Sequence, residues 1–422
     1  MRKEFLHELI KSQVGSNATW SAYHYIKGDP YPLILQEAEK QTGVKCDIYW
    51  VENGVPSTFT LSAIQGYANR VVLWHSRHLE LSFYLRKLFI NGDPKEIIIE
   101  LAERQCLIAI AELSLAKKNG DFAVKAFLKS INGQGIFNPH HDILLDSKLE
   151  PIDESYFVAW FYGLAHEIGH AVPLTDEIRN YPFLTDEAMN EALEDALLVF
   201  NYYPEHIKKE ARNRLNSNKK KYFIEKDHIR SEVIADLTAI NILYNSALRT
   251  IYQSSNKFDI ITFVLEVIIM ANLIVLLERC EKMAQYAAKP PVDEKKLDYV
   301  LMPIAYYIRI GKIYEYLEIL LATFGTNTQK IQKKQMKAAE AVMEQLFDQY
   351  EPVIGAIDSG LSNAMKFTFN QQESYDDLFN QFSSDVKSKS GGYFRLQAKE
   401  FCRLADSYGI ASKQLELLKK II

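Results

Sequence analysis

Two histidines four positions apart, with a glutamate following the first, make up the segment His166-Glu167-Ile168-Gly169-His170. On an α-helix, positions i and i+4 share a face about one turn apart, so both imidazoles can direct a nitrogen at a single point. That geometry suits Zn²⁺, which in hydrolytic sites takes three protein nitrogen or oxygen donors in a tetrahedral arrangement and leaves the fourth position to water. Zinc lowers the pKa of such a water to about 7, and Glu167 then stands where a carboxylate can accept its proton as the catalytic general base. A chain of this composition contains HExxH by chance on the order of once in a hundred, so context has to support the motif.

The third ligand must come from elsewhere. Pro173 and Asp176 occupy the positions at which an extended HExxHxxGxxH motif would need a glycine-spaced third histidine, so that arrangement is excluded. The segment His228-Ile-Arg-Ser-Glu232-Val-Ile-Ala-Asp236 puts His228, Glu232 and Asp236 on one helical stripe. Glu232 is the candidate third ligand, and Asp236 is the carboxylate that orients a ligand histidine. His228 is a candidate donor to a developing oxyanion, with an ordinary helix-end histidine as the plainer alternative. Glu191 and Glu194 compete for the ligand role but lack an accompanying polar stripe.

Several elements are expected to position these residues. Leu33 to Gly43 has helical apolar spacing and a glycine stop, followed by strand signals at Cys46 to Val51, Ser57 to Leu61 and Arg70 to Trp74. Leu79 to Ile90 and Lys95 to Lys118 read as helices, the second closing at Asn119-Gly120-Asp121, and Ile131 to Pro151 as a loop. The motif helix should start at Asp153 and run to Val172, before Pro173, with Phe157, Val158, Trp160, Phe161, Leu164, Ala165 and Ile168 as its buried face. Helices are also expected at Asp186 to Asn201, Pro204 to Lys221 and Asp227 to Tyr252, the last with Asp227 as N-cap. Beyond the linker signal Lys289-Pro290-Pro291, further helices are expected at Lys295 to Phe324, Thr328 to Tyr350 and Phe394 to Leu418.

Composition narrows the function classes. A net charge of -5 argues against a nucleic-acid partner that relies on a broad basic surface, and the basic run Lys208 to Lys226 is interrupted by acidic residues. Cys46, Cys106, Cys280 and Cys402 form no CxxC pair and read as reduced thiols of a cytoplasmic protein. Ile260 to Leu277 is long enough to cross a membrane, but Glu266 and Asn272 within it favour a buried core helix. His75 with His78, and the pair His140-His141, lack partner ligands in sequence and are set aside.

HEIGH followed by Glu232-Val-Ile-Ala-Asp236 resembles the HExxH plus ExxxD pattern of gluzincin-type zinc metallopeptidases, including the HtpX-type, ImmA/IrrE and Lit phage-exclusion peptidases. The resemblance covers roughly residues 33 to 252. It implies an α+β, predominantly α fold, with a zincin-like metallopeptidase domain over residues 1–255 that contains a small sheet. Residues 256–422 lie outside the resemblance and are expected from their helical spacing to form a helical domain serving target recognition or regulation. The resemblance further implies Zn²⁺ on His166, His170 and Glu232, Glu167 as base and Asp236 as support. The expected function is a zinc-dependent endopeptidase acting on protein or peptide substrates that pair with the Val71 to Trp74 strand edge. The alternative is a non-catalytic helical interaction protein whose metal is structural or absent.

Overall fold

The structure, a computed structural model, describes residues 8, 19–22, 31–52, 59–61, 69–75, 94–131, 157–217, 223–253, 259–288, 293–324, 333–370, 373–388 and 391–422. These form an α+β protein dominated by helices, with one four-stranded mixed sheet in the order β1-β2-β4-β3. Strand β1 (Thr19–Ala22) pairs antiparallel with β2 (Cys46–Glu52), and β2 pairs parallel with β4 (Arg70–His75). Strand β3 (Phe59–Leu61) closes the order, antiparallel to β4. Helix α1 (Tyr31–Thr42) ends as the sequence suggests: Gly43 adopts φ 69° and its N–H donates to Glu39 O at 2.8 Å.

Strand β1 was not anticipated, and one expectation about the sheet is corrected. Val71 is paired with Asp47 on one side and Leu61 on the other, so the Val71 to Trp74 strand is interior and offers no free edge. Only an edge strand keeps a row of unpaired N–H and C=O groups for an incoming chain, and among the described residues the edges are β1 and β3.

The sheet meets the motif helix α4 (Phe157–Gly169) through Trp74, whose ring centroid lies 6.2 Å from that of Trp160 and 5.7 Å from that of Phe161. Val158, Ala159, Trp160, Phe161, Tyr162, Leu164, Ala165 and Ile168 are all buried, so α4 is a core helix covered on every side rather than a surface helix with one apolar stripe. It ends at Gly169, three residues before the expected stop at Val172, and tightens as Ala171 N–H bonds Ile168 O at 2.9 Å. The expected start at Asp153 and the expected Leu79 to Ile90 helix, with His78, His140 and His141, lie outside the described residues.

Around α4 pack α1, α8 (Lys226–Gln253) and α9 (Ile260–Ala288), with α10 (Asp293–Thr323) lying against α8. The earlier helices are α2 (Lys95–Ala116), α3 (Gly120–Ile131), α5 (Asp176–Arg179), α6 (Asp186–Val199) and α7 (Glu205–Leu215). The last are α11 (Lys333–Asn370), α12 (Tyr375–Lys387), α13 (Gly391–Ser407) and α14 (Lys413–Ile421). One buried cluster runs from Tyr31 to Leu418, so the core is continuous across residue 255.

Four local expectations change. The chain does not stay in a turn after Asn119, because Gly120 starts α3; a Cβ there would stand 2.4 Å from Ile410 Cγ2. Asp227 is not the N-cap of α8: Glu225 accepts the His228 N–H at 3.0 Å, while Asp227 pairs with Arg179 and Arg230. Helix α11 passes through Pro352 to Asn370 instead of stopping at Tyr350, since burial of Ala356, Ile357, Leu361 and Ala364 against α2 outweighs one lost N–H. Finally, the expected helix over Phe394 to Leu418 is two, separated by Gly409 at φ 64° and by Ser412, which caps α14.

Helix α9 contains an 18-residue window of mean hydropathy 2.7, of which 78% is buried inside the protein. Its polar residues are accommodated there: Glu266 is buried, and Asn272 Nδ2 donates to Ile268 O at 2.8 Å and to Tyr314 Oη at 3.0 Å.

Candidate metal centre

Helix α4 supplies His166, Glu167 and His170; α8 supplies Glu232 and Asp236. The two helices can meet closely because the residue between Ile168 and His170 is glycine. A Cβ on Gly169 would lie 2.4 Å from Ala235 O and 2.7 Å from Ala235 Cα, so the backbones touch between Glu232 and Asp236. Arg70 at the start of β4 secures the helix end, donating from Nη1 to His170 O at 3.2 Å.

His166 is buried, and its Nδ1 lies 2.8 Å from Asp236 Oδ1. That contact turns Nε2 toward Glu232, whose Oε2 is 3.6 Å from His166 Nε2 and 3.9 Å from His170 Nε2. The two rings are nearly perpendicular, 80° apart with centroids separated by 4.8 Å. Donors on a tetrahedral Zn²⁺ with bonds near 2.0–2.1 Å stand about 3.4 Å apart, so the two histidine-to-Glu232 separations exceed that spacing by only a few tenths of an ångström. Potential ligand atoms of His166, Glu167 and His170 also all fall within 4.8 Å of one another, which keeps the Glu167 carboxylate at the rim of the same point. Two imidazole nitrogens and a carboxylate are a donor set that suits a divalent ion such as Zn²⁺.

A buried charge network supports this group. Asp236, fully buried, accepts from Tyr162 Oη at 3.2 Å, from Arg309 Nε at 2.6 Å and from Arg309 Nη2 at 3.1 Å, besides its contact with His166. Arg309 Nη1 donates to both Glu278 oxygens, at 3.0 and 2.9 Å, and lies 3.3 Å from Glu232 Oε2. Helices α9 and α10 therefore brace a site whose candidate ligands come from α4 and α8.

Electrostatics separate the two histidines. Burial opposes a charge on His166, but the Asp236 carboxylate and hydrogen bonds to Asp236 and Glu232 win and push its pKa up to about 10. Burial also governs His170, where the neighbouring His166 adds to it and Glu232 compensates too little, so its pKa falls to about 4. Glu232 is held well below the usual carboxylate range despite burial, by its hydrogen bond with His166 and by Arg309. Burial raises Glu278, Arg309 pulling the other way.

The structure thus brings His166, Glu167, His170, Glu232 and Asp236 together. His228 sits one turn before Glu232, exposed, with its ring centroid 6.1 Å from that of Phe223; desolvation by the surrounding protein still lowers its pKa. Glu194 is drawn off to the surface by Arg212, with two contacts of 2.7 Å.

Three participants escaped the sequence reading. Tyr162 could have been found, since it precedes His166 by one helical turn. Glu278 and Arg309 carry no local signal.

The chain matches no protein-family model, no curated protein and no solved structure. Its function must be argued from the geometry of this centre.

Proposed function

We propose that the protein is a zinc-dependent endopeptidase in which His166, His170 and Glu232 hold the metal and Glu167 is the general base. The observation that carries this reading is the convergence of both Nε2 atoms on Glu232 Oε2, at 3.6 and 3.9 Å, with His166 oriented from behind by Asp236. Zn²⁺, when bound, would polarise a substrate carbonyl and acidify a water.

The chain's own groups supply the rest. Glu167 accepts a proton from the attacking water and returns it to the leaving amide nitrogen. Asp236 holds the His166 Nδ1–H, and Arg309 offsets the negative charge of Asp236, Glu232 and Glu278. His228, one turn from Glu232, is the candidate donor to the oxyanion. An extended peptide would add to the outer edge of β3, which is antiparallel to its neighbour in the sheet. In this zincin-like reading residues 1–255 carry the ligands, while 256–422 contribute Glu278 and Arg309 as braces and the surface for target recognition. Four free cysteines suit a cytoplasmic setting.

A second reading has one specific support. Arg309 already brings positive charge to 3.3 Å from Glu232 Oε2, as a metal-free helical interaction protein would require. Metal analysis of the purified chain with Glu167→Gln separates the two. The peptidase reading expects about one zinc per chain in both proteins, and new protein termini in a cell lysate treated with wild type only. A stable chain that retains no zinc after equilibration and dialysis belongs to the second reading.

A further inference from the structure

A cavity of about 630 Å³ opens between α9, α10 and α11, beside the corner at Phe200 to Tyr203. It is too large for a packing void and falls within the range of about 300–1,000 Å³ typical of small-molecule sites. We propose that it binds a small amphipathic monoanion, an alkyl or aryl carboxylate whose apolar body fills the cavity and whose acid group meets Arg279.

The walls argue for this class of ligand. Leu273, Leu276, Ile310 and Ile357 provide apolar surface, and three aromatic rings stand exposed around the cavity: Tyr202 at 70%, Phe347 at 45% and Tyr307 at 43%. Exposed rings of this size gathered about one opening are a feature of ligand-binding surfaces rather than of ordinary exterior.

Arg279 is the polar group that picks the head. It is only 9% exposed, and its Nη1 donates to Asp358 Oδ1 at 2.6 Å. Among the described residues the other edge of its guanidinium has no oxygen acceptor: Nε is buried without a hydrogen-bond partner, and Nη2 meets only the Met365 sulfur at 3.9 Å. Nε is sealed from the cavity as well as unpaired, so an acid group there meets Arg279 as a charge-assisted contact with the guanidinium atoms that line the wall. The charged lining residues are Arg279, Lys366 and Asp358, two cations and one anion, so a single negative charge balances the site.

Gly311 is the second independent feature. It faces this cavity from inside α10, and a Cβ added there would meet nothing within 4 Å. A glycine within a helix is destabilising by about 0.8–1.0 kcal/mol relative to alanine, and neither backbone conformation nor crowding demands one at this position. Its effect is to leave the cavity open.

The test uses the full-length chain and the fluorescent aryl sulfonate 8-anilinonaphthalene-1-sulfonate as probe, with displacement by decanoate or decan-1-ol. Saturable binding of one probe per chain is expected, with decanoate displacing it at a concentration at least tenfold lower than decan-1-ol. Arg279→Gln should abolish the difference between acid and alcohol. Gly311→Leu, and separately Ser362→Leu on the α11 wall, should weaken probe binding at least tenfold while circular dichroism and the thermal midpoint stay as in wild type. Absence of saturable binding, equal potency of acid and alcohol on the wild type, or full binding by a folded filled-cavity variant would each overturn the proposal. The wild-type displacement decides the matter even if a variant does not fold.

Discussion

Gly169 of the motif helix and Ala235 of α8 touch backbone to backbone, so closely that a Cβ on the glycine would stand 2.4 Å from the Ala235 carbonyl oxygen. This contact lies between the histidine pair and the two carboxylates, and sets how near they come. Gly169→Ala should therefore push the helices apart, destabilising the protein by about 1–3 kcal/mol as overpacked cores do. Zinc binding should weaken at the same time. Thermal unfolding and zinc titration of the variant test both effects, and a variant with wild-type values in each would refute the role assigned to the contact.

Asp236 and Tyr162 differ in what their loss leaves behind. Asp236→Asn takes the charge from a fully buried carboxylate that faces His166 and Arg309, so about 3–5 kcal/mol of stability and about 10–100-fold in zinc affinity should be lost. Tyr162→Phe removes one hydrogen bond of 3.2 Å to the same group and should cost about 1 kcal/mol. Chemical denaturation of both variants ranks them, and equal costs would show that Asp236 is not the centre of the network.

Arg309→Met separates the two functional readings by a route independent of activity. Without the guanidinium, Asp236, Glu232 and Glu278 keep only His166 as a positive neighbour, and the zinc-free protein should lose about 3–5 kcal/mol. If Glu232 is a ligand, added zinc should restore a large part of that loss, because the ion returns positive charge to the same oxygens. Melting curves with and without zinc measure the restoration; none at saturating zinc would count against metal binding here.

For the zinc-free protein the two histidines give opposite pH dependences. His166 is raised from 6.5 to about 10 when folded, so its contribution is complete below pH 6.5 and is lost as pH rises through 10. His170 is lowered from 6.5 to about 4, so its contribution is complete above pH 6.5 and is lost as pH falls through 4. Their sum is greatest near pH 6.5. Thermal midpoints of metal-free protein between pH 4 and 10 should show His170→Gln flattening the acid side and His166→Gln the alkaline side; a wild-type slope left intact in either variant would contradict the assignment.

Much of the centre was legible because helical spacing is local. His166 and His170 share a face by their separation alone, as do Glu232 and Asp236, and the structure brings the two pairs together. Tyr162 obeys the same spacing and was overlooked because a tyrosine in an apolar run reads as packing. Where the fold departed from expectation, burial had overruled a local signal: α11 continues through Pro352 under the pull of its apolar face, and Gly120 opens a helix although it reads as a turn.

By itself, then, the sequence determined most of the long helices, the strands β2, β3 and β4, and which side chains within one helix point the same way, because those depend on periods of two and 3.6 residues. Only the tertiary structure decided that β4 is an interior strand, that Gly169 admits the α8 backbone, and that Arg309 reaches Asp236 across 73 positions of chain. Those relationships come from how separate elements pack in space, and no short-range pattern encodes a contact whose two halves are joined only by folding.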